Sequence, residues 1–254
     1  MPKFAANISF LFKDRPVAER VQAAADAGFR AVEFLFPYDD PVPDLQRALS
    51  VAGIPIILIN TPPPNYTGGE RGFAAVPGLE QRFRHDFRRA LRYAEALKST
   101  HIHVMAGAAS GERARAVFVE NLKWAAGAAR KHSLTIEPIN TEDMPGYFLS
   151  SFDLAAGIIQ EVDATNVSLQ FDAYHAQKIT GDALAAWDTF GHMARHVQIA
   201  GLPDRHEPVG GPFDYGEFFQ RLDAAGYDGF VSAEYHPAGD TLKGLKWLGS
   251  AMRK

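Results

Sequence analysis

The chain has 254 residues, 46% of them hydrophobic, with a net charge of -4 and no cysteine. Its length suits one barrel domain of about 250 residues, so nothing requires a division in two. The missing cysteines exclude disulfides, thiolate metal sites and a cysteine nucleophile, and the acidic balance argues against a phosphate backbone as partner, since nucleic-acid binders concentrate basic residues on one face.

Short apolar runs alternate with longer amphipathic segments. Residues 4–10 predict a first strand, and 15–28 a helix with Pro16 near its start and Gly28 as its stop. A second strand is predicted at 31–34, then a helix over 43–53. Residues 55–60 contain the run Ile56-Ile57-Leu58-Ile59, which suits a strand covered on both faces. A loop rich in Pro and Gly follows over 61–78, and loops of that length often act as lids or binding loops. A charged helix spans 79–97, a fourth strand 101–105 and a fourth helix 113–132. The second half repeats the rhythm, with strands at 134–137, 167–172, 196–200 and 229–234 and helices at 152–162, 181–190, 215–225 and 241–252. Eight strand–helix units in succession predict a parallel sheet, closed as an α/β (β/α)₈ TIM barrel in one domain over 1–254. A doubly wound open sheet with fewer strands is the structural alternative. Residues 1–12 hold no long apolar run with a cleavage site after it, so no leader is expected. No stretch approaches the roughly 20 apolar residues that span a bilayer, and the expected compartment is a reducing cytoplasm.

Barrel enzymes place their chemistry at the C-terminal ends of the strands. The fifth strand ends in Glu137, the sixth in Asp172 and the eighth in Glu234, while the seventh carries Gln198. Each lies in or directly after an apolar run, where a charge is costly unless paired or bound to a metal. Any one of them could be a strand-end group facing solvent or capping the next helix. Four on successive strands point instead to a shared site. Three carboxylates converging on one mouth repel each other, and a divalent cation resolves the conflict by accepting several oxygens at once. Three carboxylate oxygens and one amide oxygen suit Mg²⁺ or Mn²⁺ better than a softer ion.

The segments Phe4-Ala5-Ala6-Asn7, Val32-Glu33-Phe34-Leu35-Phe36-Pro37-Tyr38, Gly69-Glu70-Arg71-Gly72, Ile136-Glu137-Pro138-Ile139-Asn140, Asp172-Ala173-Tyr174-His175, His196-Val197-Gln198-Ile199-Ala200 and Asp204-Arg205-His206-Glu207-Pro208 run along almost the whole chain. In that order the sequence resembles the hydroxypyruvate isomerase family, within the xylose-isomerase-like superfamily of barrels. The resemblance implies metal ligation by Glu137, Asp172, Gln198 and Glu234, with the two glutamates as proton donor and acceptor. One departure is plain: Gly210-Gly211-Pro212-Phe213 stands where the family usually carries a Gly-Glu pair. The implied reaction moves a carbonyl between adjacent carbons of a small sugar acid, hydroxypyruvate or a 2-oxo-tetronate, with a ketose 3-epimerase as a further alternative. The expected partner is that small molecule, with no nucleic acid and no membrane; a homo-oligomer is left open.

His175, three residues beyond Asp172, is expected to touch substrate oxygens or else to be a hydrogen-bonded rim histidine. Arg205 is expected to pair with a substrate carboxylate or to be a plain surface arginine. Glu70 and Arg71, flanked by Gly68, Gly69 and Gly72, read as part of a mobile lid that excludes water, or as an ordered surface loop. His101 and His103 share a face near the start of the fourth strand, the stability end of a barrel strand, so a structural role is expected. An abasic-site endonuclease of the same superfamily is the rival from another class. It needs a three-metal cluster and more histidines at strand ends, where this chain has Asn60, Met105-Ala106-Gly107 and Gln198.

Overall fold

The structure, a computed structural model, describes residues 2–63 and 71–251. Eight strands, β1 (Lys3–Asn7), β2 (Ala31–Glu33), β3 (Ile56–Asn60), β4 (His101–His103), β5 (Ser133–Ile136), β6 (Val167–Asp172), β7 (Ala194–Ile199) and β8 (Phe230–Ala233), pair in parallel in chain order, and β8 closes on β1. Helices α1 (Val17–Asp26), α2 (Val42–Ala52), α3 (Glu80–Leu97), α4 (Gly111–Ala128) and α5 (Phe152–Val162) return the chain after the first five strands. After β6 come α6 (Ala173–Thr180) and α7 (Ala183–Phe190), after β7 comes α8 (Tyr215–Ala224), and after β8 come α9 (Thr241–Gly244) and α10 (Lys246–Ala251). The eight-unit barrel expected from the sequence is therefore the observed architecture, and the open-sheet alternative is set aside. No described helix is long and apolar enough to cross a membrane.

Element ends depart from expectation for local reasons. The first strand stops at Asn7 rather than residue 10, because Asn7 turns the chain. Its Oδ1 accepts the Ser9 backbone N–H at 3.0 Å, and its carbonyl accepts the Phe10 N–H at 3.1 Å. The expected helix at 181–190 is preceded by α6, which starts at once after β6 because Asp172 caps it, its Oδ1 accepting the Tyr174 N–H at 2.8 Å. The long final helix is broken at Leu245 into α9 and α10.

Strand side chains alternate between two faces. On β6, Val167, Leu169 and Phe171 join the apolar layer beneath the helices, as do Val197 and Ile199 on β7 and Val231 and Ala233 on β8. Phe171 there meets the rings of Phe152 and Trp187, each at 5.2 Å. The opposite parity fills the barrel, and much of it is polar. A small cluster of Ala5, Ala31 and Ile57, with Phe230 against it, is apolar. Beyond that cluster the buried interior includes Asn7, Glu33, His101, His103, Thr135, Gln170, His196 and Ser232. Polar side chains survive there because most bond one another, as a buried polar group must.

His101 sits in this layer, 5.4 Å ring to ring from His196. Burial, with His196 nearby, pushes its pKa from 6.5 down to about 3. A group whose folded pKa is depressed below an unfolded pKa of 6.5 stays neutral in the fold, so protons bind the unfolded chain preferentially once pH falls below that value. Stability is then lost as pH falls, by about 1.4 kcal/mol per unit. Between pH 7 and pH 5, His101→Gln should lose roughly 2 kcal/mol less stability than the wild type, as read from urea unfolding at the two pH values. Equal losses in both proteins would contradict the placement.

Candidate active site

The inward parity delivers the sequence-predicted residues to one mouth. Glu137 follows β5 directly, Asp172 ends β6, Gln198 lies on β7 and Glu234 follows β8. The register sets Asp172 opposite Gln198, and the Glu234 N–H bonds to the Ile199 carbonyl at 3.0 Å. All four residues are buried, none exposed beyond 7%.

Burial of so much acid is electrostatically expensive. Burial itself, then the charges of Glu234 and Asp172, raise the Glu137 pKa well above its ordinary value. Glu234 is raised well above its own by burial, although Arg205 opposes the rise. Burial raises Asp172 to about 6, again against Arg205. Arg205 donates through one terminal nitrogen to Glu234 Oε1 at 3.1 Å and Asp172 Oδ2 at 3.5 Å. Its guanidinium lies 5.1 Å from the Tyr174 ring centre and 5.7 Å from that of Phe10, an arrangement that favours a cation. Although burial works against its charge, Glu234 and Asp172 hold its pKa above the usual value. One guanidinium thus serves Glu137, Asp172 and Glu234.

Amides tie these acids together. Gln170 Nε2 donates to Glu137 Oε2 at 3.0 Å and to Gln198 Oε1 at 2.7 Å, while Gln170 Oε1 accepts from Thr135 Oγ1 at 2.8 Å. Gln198 Nε2 donates to Glu234 and, at 2.8 Å, to Glu33 Oε1. Glu33 also accepts from Asn7 Nδ2 at 2.8 Å and lies 2.7 Å from His196 Nε2. Each amide therefore has a defined orientation, with Gln198 Oε1 turned away from the carboxylates.

The donor set fits a hard divalent cation. Among the described residues, Glu137, Asp172 and His175 can each offer one ligand atom, all within 4.8 Å of one another. The destabilised carboxylates of Glu137, Asp172 and Glu234 are what a bound cation would relieve. A cation here would lose a formal charge from its shell in Asp172→Asn. That variant should bind Mn²⁺ more weakly, as read from the free-ion EPR signal on titration. An unchanged Kd would remove Asp172 from the set.

The other expected residues divide. His175 is buried, with Nε2 at 3.7 Å from Asp172 Oδ2 and 3.8 Å from Glu137 Oε1, and burial holds its pKa well below 6.5. Arg205 is not a plain surface arginine, since it bonds Glu234 and Asp172 at the mouth. Arg71 stacks 5.7 Å from the Phe36 ring centre, and its charge favours ionised Glu234. Glu70 lies outside the described residues, as do residues 64–69 of the expected lid. The last part of that loop is anchored, not mobile: Ala74 and Ala75 are fully buried, Ala75 N–H bonds the Ala106 carbonyl at 2.8 Å, and Asn121 Nδ2 holds the Ala74 carbonyl at 2.8 Å. His103 corrects the expectation of a role at the stability end. Because β4 is only three residues long, His103 ends it, and its Nδ1 stands 3.6 Å from Glu137 Oε2. Burial, with His196 nearby, pushes its pKa down to about 3, keeping it neutral. Sequence reasoning missed Glu33, Gln170 and Asn140. Glu33 carried a usable signal, since it ends β2 as Asp172 ends β6.

Residues 21–251 match the family described as xylose isomerase-like TIM barrel. The chain is 45% identical to a 2-oxo-tetronate isomerase of Cupriavidus necator and 37% identical to the hydroxypyruvate isomerase of Escherichia coli, each over 98% of both chains. Among solved structures, one from Brucella melitensis described as an AP endonuclease of family 2 superposes with a TM-score of 0.95 at 42% identity, covering 98% of this chain and 99% of that one. The strand-end acids, the closed barrel and these end-to-end matches agree: the chain belongs to the xylose isomerase-like TIM barrel family.

Proposed function

We propose that the chain is a metal-dependent isomerase of small sugar acids that interconverts hydroxypyruvate and tartronate semialdehyde. One observation carries the reading: two buried glutamates of raised pKa, Glu137 and Glu234, are linked through the amides of Gln170 and Gln198, and Arg205 joins Asp172 to Glu234. The chain is matched end to end by proteins named as isomerases of such acids. Glu137, Asp172 and Glu234 would hold the cation, Mg²⁺ or Mn²⁺ by the hardness of their oxygens, and Gln198, whose oxygen accepts from Gln170, would join them only with its amide reversed. When bound, it would act as a Lewis acid toward the substrate's carbonyl and hydroxyl oxygens.

The chain's own groups supply the proton transfers. Hydroxypyruvate carries a ketone at C2 beside a hydroxymethyl carbon, C3. One glutamate removes a proton from C3, giving an enediolate; the O3 hydroxyl proton passes to O2, and a proton returned to C2 leaves the carbonyl at C3 and a hydroxyl at C2. A carboxylate placed beside the reacting carbons can act as a general base and, once protonated, as a general acid. His175 stands beside both Glu137 and Asp172, where it meets substrate oxygens. Arg205 is the group for the substrate carboxylate, with Arg71 adding positive charge at the same mouth. Three acids at one mouth would otherwise repel an anionic substrate.

Two neighbouring readings have a specific observation behind them. A 2-oxo-tetronate, one carbon longer, is favoured by the name of the relative at 45% identity. An abasic-site nuclease is favoured by the description of the Brucella structure. Against the nuclease stand the net charge of -4 and, among the described residues, a single three-residue group able to hold a metal. The test is a panel of hydroxypyruvate, 2-oxo-tetronates, free ketoses and an abasic duplex. Turnover confined to the acids is expected, with loss of activity in EDTA. Glu137→Gln and Glu234→Gln should each lower kcat by about 10²–10⁴-fold. Preference for neutral ketoses would replace the reading with an epimerase, and nicking of the duplex would replace it with a nuclease.

A further inference from the structure

His175 is one of three residues whose ligand atoms cluster closely enough to hold a metal. A neutral imidazole can do so only through a nitrogen that carries no proton, so its tautomer decides what it can do. We infer that Asn140 sets that tautomer, placing the proton on Nε2 and making His175 a hydrogen-bond donor at the site instead of a metal ligand.

The hydrogen bonds that reach the ring have fixed directions. The backbone N–H of Asn140 points at His175 Nδ1 across 3.4 Å. A backbone N–H can only donate. The Asn140 side-chain amide lies closer, with Nδ2 at 2.7 Å from Nδ1. Its orientation is settled by the turn it caps, because Asn140 Oδ1 accepts the backbone N–H groups of Glu142 at 3.1 Å and Asp143 at 2.9 Å. Reversing the amide would face those two donors with a third. Nδ2, also bonded to Asp143 Oδ2 at 3.1 Å, is therefore the atom that meets the ring. Two donors converge on Nδ1, which must be the acceptor, and the neutral ring then carries its proton on Nε2. That N–H faces Asp172 Oδ2 at 3.7 Å and Glu137 Oε1 at 3.8 Å. A substrate oxygen seated between those acids would receive a donor that costs no reorganisation when negative charge develops.

This rests on the isomerase reading only for the identity of the oxygen that the donor meets. Asn140 acts through the His175 ring that it bonds, so it is a positioning residue. It lies in the loop after β5, three residues beyond Glu137 (140 − 137). One short segment thus supplies an acid and fixes the tautomer of a histidine from the next strand–helix junction.

The test is long-range ¹H–¹⁵N NMR of the metal-free, ¹⁵N-labelled protein without substrate, with the His175 ring assigned by its loss in His175→Gln. An unprotonated Nδ1 and a protonated Nε2 are expected. Asn140→Asp keeps an oxygen for the Glu142 and Asp143 N–H groups but puts an acceptor where Nδ2 stood, so Nδ1 should become protonated. The wild-type spectrum decides the tautomer even if that variant fails to fold, and it needs no catalytic activity. His175→Gln should weaken Mn²⁺ binding far less than Asp172→Asn does, because the ion would lose no ligand. In the active enzyme, Asn140→Asp should lower kcat by about 10²-fold, as loss of one preorganised donor does. A wild-type proton on Nδ1, an Asn140→Asp spectrum identical to wild type, or a loss of Mn²⁺ affinity in His175→Gln as large as that in Asp172→Asn would each overturn the inference. Failure of the substrate panel with the expected spectrum would instead sink the isomerase assignment and leave the tautomer standing.

Discussion

The cost of burying several carboxylates at one barrel mouth governs the rest of the molecule. Glu33, Glu137, Asp172 and Glu234 are each at most 7% exposed, and an unpaired charge in such a place is costly by several kcal/mol. Arg205 offsets part of that cost, wedged between Phe10 and Tyr174 and bonded to two of the acids. Gln170 and Gln198 offset more by donating to three of them. What is left over is a cost that a bound cation would relieve.

The barrel makes this possible through the two-residue period of its strands. The outward parity of β6, β7 and β8 is apolar and seals against the helices, so stability does not depend on the interior being apolar. The interior is released for polar work, with an Ala5–Ala31–Ile57 cluster below it. Glu33 and His196 lie beneath Gln198, and Gln198 lies beside Glu234, so the polar layer and the mouth form one hydrogen-bonded body. A change deep in the barrel is thereby felt at the mouth.

Much of this is legible in the sequence, for identifiable reasons. Asking which residue ends each strand finds Glu137, Asp172 and Glu234, because a charge directly after an apolar run is costly to bury unless something there pairs with it. The same question put to the second strand finds Glu33 only when the strand is stopped at three residues, whereas its apolar pattern runs on to Phe34 and hides the acid. His103 is misplaced for a related reason: β4 stops two residues earlier than its apolar run, and where a strand ends decides which of its residues reaches the site. Gln170 and Asn140 cannot be found by type. An amide on a strand or in a loop is common, and its importance lies in partners that only the fold brings together, Glu137 and Gln198 for one and His175 for the other. The short helix α6 is hidden because Asp172 is at once a strand end, a helix cap and a site acid.

In the proposed chemistry these buried acids, with a cation, move a proton between adjacent carbons of a sugar acid. Conversion of hydroxypyruvate by the Mg²⁺-loaded enzyme in D₂O, followed by ¹H NMR, tests it most directly. Tartronate semialdehyde carrying solvent deuterium at C2, formed at a rate that EDTA abolishes and Mg²⁺ restores, is the expected result. No isomerisation of any sugar acid, or a rate that survives exhaustive chelation, would contradict it.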